Sequence, residues 1–365
     1  MSKARELAEL GAVYDSGALS NRNLIINGGM QVAQRGTSGT SGPDGTGESY
    51  LTVDRWKNPL RTSAVATQSQ STDTPSGQGF INSFKLDCTT ADTSVASNDF
   101  WIFQQRIEKQ NVLHLAYGTS SAKSVTASFW VKSTKTGTYI CELQDAVNDR
   151  YNRGAYTIDA ANTWEKKTIT FVGDTGGGLG TSSLNGASLD LNFWLMAGSD
   201  FSGGSAVSGW TTTGGGRANG QVNFFDSTSN NFYITGVQLE VGPQATPFEH
   251  ESYDTTLEKC QRYFQKAGDG RTYGVVFNQH TGVNAYSCMR WWKPMRAAPV
   301  IHSMSTSNYN IYNAGYSRSF SQIGISQLSE NSGEFYLTTT TLAAGSATHC
   351  NTNGDLTMWK ADAEL

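Results

Sequence analysis

The chain has 365 residues and a formal net charge of −4, and only 16% of it is charged, against about 25% in an average globular domain. It has no basic run, no apolar segment near the roughly 20 residues of a membrane helix, and no apolar stretch in the opening "MSKARELAEL". These features argue against an electrostatic nucleic-acid binder, a spanning helix and a secretory signal.

The 39 glycines, with abundant Ser, Thr and Asn, fit a surface of small polar residues on short strands joined by Gly-rich turns. Residues 1–20 read as a leader. "SKARELAEL" can form about two helical turns before Gly11, a length that is marginal alone in water. The leader therefore either frays or is ordered by docking on another protein.

Residues 21–250 read as a long antiparallel β-segment. In "SVTASFWVKS", Val125, Ala127, Phe129 and Val131 share one face; in "LDLNFWLMAG", Leu189, Leu191, Phe193, Leu195 and Ala197 do. In "DFWIFQQRIE", Trp101, Phe103 and Ile107 share a face with Gln105. Period-two alternation between Gly/Ser/Thr loops predicts a sandwich of the jelly-roll type. In "FYITGVQLEV" the apolar parity slips between Ile234 and Val237. One extra residue at Thr235–Gly236 restores the register, so a β-bulge is expected there.

Residues 251–270 read as a connector built on one helix over 255–266. Thr255 and Glu258 have capping-box spacing, and Leu257, Cys260 and Phe264 form a narrow stripe at helical spacing. That stripe is the candidate for setting the angle or the oligomer between body and tip. Residues 271–365 return to β and are expected to form a smaller sandwich. The predicted fold class is all-β: leader, jelly-roll sandwich, short connector helix and C-terminal β-sandwich.

Chemistry-bearing residues are sparse. The five cysteines include no CxxC pair, and the five histidines no HxH or HExxH spacing, so buried thiols made in a reducing cytoplasm are expected in place of a disulfide framework or zinc site. Asp54, Glu108, Glu142, Asp145 and Glu240 are the acids nearest predicted strands, and no two sit in the paired arrangement glycoside hydrolysis needs. There is no GxSxG elbow, and "GGGLG" lacks the Lys-Ser/Thr of a phosphate loop. No catalytic residue is expected.

Aromatic rings are the candidate ligand contacts. Trp130 and Trp194 alternate away from their apolar neighbours, which puts each on the less apolar face of the sandwich or, since the interior parity of a two-sheet fold is open and large aromatics are mostly buried, in the core. Trp210 lies in a Gly-rich loop, where an exposed anchor is natural. Trp291 and Trp292 point to opposite faces, which leaves Trp292 as a candidate. Tyr309, Tyr312 and Tyr316, interleaved with asparagines, have the composition of an adaptable contact surface or of an edge strand and loop.

Three stretches together carry a family resemblance. "NLIINGGMQVAQRGTS…YLTVDRW", "FYITGVQLEVGPQATPFEHESYDTTLEKCQRYF", and "MRAAPVI" with the terminal "ADAEL" resemble bacteriophage tail-fibre-like virion proteins of the marine podovirus type. That resemblance implies a non-catalytic, receptor-binding virion component, commonly a homotrimer. It would be anchored to other tail proteins by its N-terminal leader and directed at a host glycan or outer-membrane component. Leu7, Leu10 and Tyr14 are the candidate docking residues of the leader. A capsid decoration protein and a polysaccharide depolymerase are the alternatives.

"NLIINGGMQ" and "FYITGVQLE" are also similar to the first and last strands of jelly-roll carbohydrate-binding modules. Those modules often hold a structural calcium ion between these strands. Here Gln31 and Thr235–Gly236 stand at the matching positions. The usual carboxylates are missing, so the resemblance carries the fold over without the ion, and no cofactor is expected.

Overall fold

A computed structural model describes residues 22–43, 50–180, 183–206, 208–267, 274–279, 284–302, 309–313, 316–318, 321–338, 347–352 and 359–365. Leu7, Leu10, Tyr14 and the rest of the leader lie outside the described residues. The chain divides into two compact units, one through Thr256 and one from Leu257 to Glu364.

The first unit holds eleven strands: β1 (Ser38–Ser41), β2 (Leu60–Arg61), β3 (Val65–Ser71), β4 (Ser83–Thr90), β5 (Phe100–Glu108), β6 (Val125–Ser133), β7 (Gly137–Asp145), β8 (Arg150–Ile158), β9 (Glu165–Phe171), β10 (Ala187–Ala197) and β11 (Asn231–Val241). They form a six-stranded sheet, β1-β3-β4-β11-β6-β9, and a five-stranded sheet, β2-β5-β10-β7-β8, with every pairing antiparallel. From β4 to β11 the chain crosses repeatedly between the sheets, which gives the jelly-roll sandwich. Alternate residues of both sheets meet in one core. Val125, Ala127, Phe129 and Val131 from β6 are buried against Leu189, Leu191, Phe193 and Leu195 from β10. An aromatic stack of Trp56, Phe103 and Phe84 runs through it, with ring centroids 4.5 and 4.2 Å apart.

Gln105 enters this core as its parity demands. Its amide is satisfied twice by one residue, donating to the Ile26 carbonyl (2.9 Å) and accepting from the Ile26 amide (2.8 Å). A buried amide with both partners costs little. Ala197 departs from its expected face. The β10–β5 register shifts between Trp194 and Met196, so Met196 joins the core and Ala197 packs on the outer face.

The expected bulge is present: the β11–β6 register shifts between Thr235 and Gln238, and Gly236 sits at φ +62°. A Cβ on Gly236 would lie 2.5 Å from the Phe80 ring, so glycine meets both the left-handed backbone and the close approach.

After α1 (Ser199–Ser202) and β11, α2 spans Tyr253–Gln261, shorter and earlier than the predicted 255–266. Its cap is Ser252, whose Oγ accepts from the Thr255 amide (3.2 Å), in place of the Thr255–Glu258 box. Leu257 is half-buried and Cys260 buried on the helix, but Phe264 is not part of the helical stripe. It begins β12 (Phe264–Ala267), which pairs with a C-terminal strand through Phe264 opposite Asp362. Gln265, fully buried, receives the Trp292 amide (2.9 Å) and donates to the Gln261 and Lys293 carbonyls (2.8 Å each). These long-range bonds favour a strand where local spacing favoured a helix.

The second unit continues with β13 (Gly274–Gln279), β14 (Asn284–Arg290), β15 (Val300–His302), β16 (Tyr309–Asn313), β17 (Tyr316–Arg318), β18 (Gln322–Ser326), β19 (Ser332–Thr338), β20 (Ala347–Thr352) and β21 (Trp359–Asp362). A seven-stranded sheet, β17-β16-β20-β13-β14-β19-β18, and a three-stranded sheet, β12-β21-β15, share a core of Phe277, Phe335, Leu337, Trp359 and Ala361. This is a second, smaller sandwich.

Candidate functional site

The outer face of the five-stranded sheet carries a hydrogen-bonded cluster of polar side chains. The residues that alternate with its core positions are Gln104 and Arg106 on β5, Asp190, Asn192 and Trp194 on β10, and Glu142 and Gln144 on β7. Strand register sets Asn192 beside Gln104 and Glu142, and Asp190 beside Arg106 and Gln144. The segment between β10 and β11 lies over part of this face and delivers Arg217. Its guanidinium grips the fully buried Glu142 with two bonds, Nη2 to Oε1 (2.7 Å) and Nε to Oε2 (2.9 Å), and donates to Gln144 (2.9 Å). Its Cζ lies 3.8 Å from the Tyr151 ring centroid and 5.2 Å from that of Trp194. A rigid fork held by a carboxylate and stacked on aromatics is a fixed wall, a role lysine could not fill.

Beside this wall lies a cleft of about 270 Å³, lined by Gln104, Arg106, Gln144, Asp190, Trp194 and Arg217 together with the apolar Pro59, Phe100, Ile102, Ala146 and Phe201. Gln104 donates to Asn192 (2.8 Å) and Asp190 (3.3 Å), which leaves its Oε1 buried without a hydrogen-bond partner. The Trp194 Nε1 is likewise buried and without a partner. Both residues border the cleft, while these two atoms themselves are closed to solvent. Asp190 is 2% exposed, and burial pushes its carboxyl up to about 6, only partly offset by the charges of Arg106 (3.5 Å away) and Lys57. The cleft thus brings together a half-exposed guanidinium, side-chain amides, a carboxyl and aromatic walls. These are the groups that bind polyhydroxylated rings.

Trp194 occupies the outer face as its alternation predicts, but loop residues bury it: Phe201 packs on its ring and Ala218 joins Ile102 and Ile140 around it. Trp130 is half-buried on the outer face of the other sheet. Trp210 is not an exposed anchor. It is half-buried, donates from Nε1 to the Val172 carbonyl (2.7 Å) and packs edge-on against Tyr117, fastening its loop to the body. In the second unit Trp291 is buried and Trp292 is 47% exposed. Tyr309, Tyr312 and Tyr316 lie on a hairpin at the edge of the seven-stranded sheet, and their side chains lie outside the described residues.

The acids singled out by the sequence are engaged in the framework. Asp54 accepts from Gln34 and lies 3.9 Å from Arg35. Glu108 accepts from Gln110, Asp145 from the amides of Val147, Asn148 and Gly180, and Glu240 from Thr246. Cys88, Cys141 and Cys260 are buried thiols, but Cys288 is exposed. At the calcium position of carbohydrate-binding modules, the Gln31 amide donates to Thr256 Oγ1 (2.9 Å) and the Thr235 hydroxyl to the Asn82 carbonyl (2.8 Å). Neutral groups already spent on protein partners do not fit that ion.

Sequence reasoning did not find Gln104, Arg106, Asp190 or Arg217. One signal was available: "QQR" and "DLNFW" place polar residues on the off-core parity of strands whose other face is apolar except for Gln105.

No family model and no curated protein sequence matches the chain. Among solved structures, it is similar to the enzymatically active domain of tailspike protein 4 of bacteriophage CBA120, at 15% identity and TM-score 0.30, over 60% of this chain and 21% of that one. It is also similar to TmCBM61 in complex with β-1,4-galactotriose, at 11% identity and TM-score 0.29, over 61% of this chain and all of that one. A third is the family 11 carbohydrate-binding module of the Clostridium thermocellum cellulosomal cellulase Lic26A-Cel5E, at 12% identity and TM-score 0.29, over 57% and 97%. The description of the fold rests on the sheets themselves.

Proposed function

We propose that this chain is a non-catalytic attachment protein of a bacteriophage tail that recognises a carbohydrate on the host surface through the cleft of its five-stranded sheet. The observation that carries the binding role is the cleft itself, in which the half-exposed Arg106 stands with Gln104, Gln144 and Asp190 beside the aromatic walls of Phe100 and Phe201. The virion role, the anchoring leader and the homotrimer come from the sequence resemblance. Three copies would turn weak sites into strong attachment through effective concentration. No metal or other cofactor takes part.

Retention of the purified protein on immobilised host-surface polysaccharide tests the binding role. Arg106→Gln removes a half-exposed charge from the cleft and should weaken retention at least tenfold with melting little changed. Equal retention by wild type and the folded variant would sink the role. Release of oligosaccharides during incubation would replace it with the depolymerase reading, for which Asp190, with its carboxyl near 6 inside the cleft, is the acid to substitute. Imaging of virions labelled on this protein separates tail from capsid.

A further inference from the structure

Building on the carbohydrate reading of this cleft, we infer that it receives the end of a glycan, one or two sugar units, and excludes the interior of a chain. A groove for a chain interior must run across the sheet and leave it at both sides. Here the face over β7 and β8 is covered by residues 208–222, which are bonded to those strands at several points. Tyr151 and Thr211 exchange backbone hydrogen bonds of 2.8 and 2.9 Å, so the segment pairs with the edge strand itself. Arg153 Nη1 donates to the Gly216 carbonyl (3.0 Å), and the Ile140 amide donates to Gln221 Oε1 (2.8 Å).

Behind this wall the sheet is filled. Ala218, Ile140, Ile102 and Trp194 form a small apolar core of their own, and Arg217, 8% exposed, is locked to Glu142. A covering layer with its own core and a buried bidentate ion pair is part of the fold, unlike a flap that a polymer could push aside. What remains is a cleft of about 270 Å³, just below the roughly 300–1,000 Å³ of small-molecule sites. Its closed end is made by Trp194 and Arg217. The other end is flanked by Pro59 and the half-exposed Arg106 on the β2–β5 side. The covered face therefore stops a chain on the Arg217 side, and only a terminal ring, free of a further linkage on that side, fits against it.

The test uses the full chain and monovalent probes, namely the mono- to hexasaccharides released by acid from the retained host polysaccharide, titrated by calorimetry. Affinity should level off at the disaccharide and change less than twofold up to the hexasaccharide. Chemical capping of one of the two chain termini should weaken binding at least tenfold, and capping of the other should leave it unchanged. Affinity that keeps rising from tetra- to hexasaccharide, or fragments capped at both ends that bind as tightly as free ones, would overturn the chain-end assignment while leaving carbohydrate binding intact. Failure of every fragment to bind, with polysaccharide retention insensitive to Arg106→Gln, would overturn the carbohydrate reading itself and this inference with it.

Discussion

The Glu142–Arg217 pair gives the sharpest test of how the cleft is built. Glu142 has no exposed surface, and besides Arg217 its carboxylate accepts from the neutral Asn192 amide at 2.9 Å. Substituting Arg217→Met keeps the volume and strands the carboxylate. Breaking a buried pair from one side costs about 3–5 kcal/mol. At about 2–4 °C per kcal/mol for a domain of this size, that lowers the melting temperature by roughly 6–20 °C. Arg217→Lys should recover little, because an ammonium cannot make the two-bond fork or stack on Tyr151. Glu142→Gln with Arg217→Met should lose less than the sum of the single changes by about 1.5 kcal/mol, within the coupling range of contacting residues. Calorimetric melting of the four proteins measures the cycle. Single changes costing under about 1 kcal/mol, or strict additivity within about 0.5 kcal/mol, would show that the wall is held by something other than this pair, and the fixed end of the cleft would lose its basis.

Other consequences can be checked alongside. The Asp190 carboxyl holds its proton to about pH 6 in the folded chain, above its ordinary value of 3.8. Its contribution to stability is therefore full below about pH 4 and lost as pH rises through about 6, by at most roughly 3 kcal/mol. Asp190→Asn should gain on wild type between pH 4 and pH 7 in denaturant titrations, and parallel curves would refute the shift. Gly236→Ala forces a side chain into the left-handed region and into Phe80, and should cost at least about 1–2 kcal/mol in urea unfolding; a neutral result would count against the bulge geometry. Phe264→Ala should destabilise the second unit by about 3–5 kcal/mol without changing the oligomer measured by light scattering, because Phe264 is a buried strand residue. Leu257→Asp is the change that tests a role of α2 in assembly, and an unchanged solution mass would exclude it.

Much of the fold is local in origin and could be read from the chain. Burying alternate residues of a strand is a period-two rule, so Val125 to Val131 and Leu189 to Leu195 declared their core face. The slip between Ile234 and Val237 declared the bulge, because one inserted residue is the only repair that keeps both groups inside. The end of α2 was not legible. Leu257, Cys260 and Phe264 have helical spacing, but Phe264 and Gln265 gain more from Asp362, Lys293 and Trp292 than from another helical turn. The cleft was hidden for the same reason. Gln104, Asp190 and Gln144 are neighbours only across strands, and Arg217 reaches them from a Gly-rich loop whose path no local pattern encodes. The sequence by itself therefore determined an all-β chain, the inward face of each strand and the position of the kink. Tertiary structure alone decided which outward face is covered, that Trp194 lies beneath a loop, and that an open sheet face becomes a short, closed cleft. The first set depends on contacts that repeat every two residues, and the second on contacts between residues tens of positions apart.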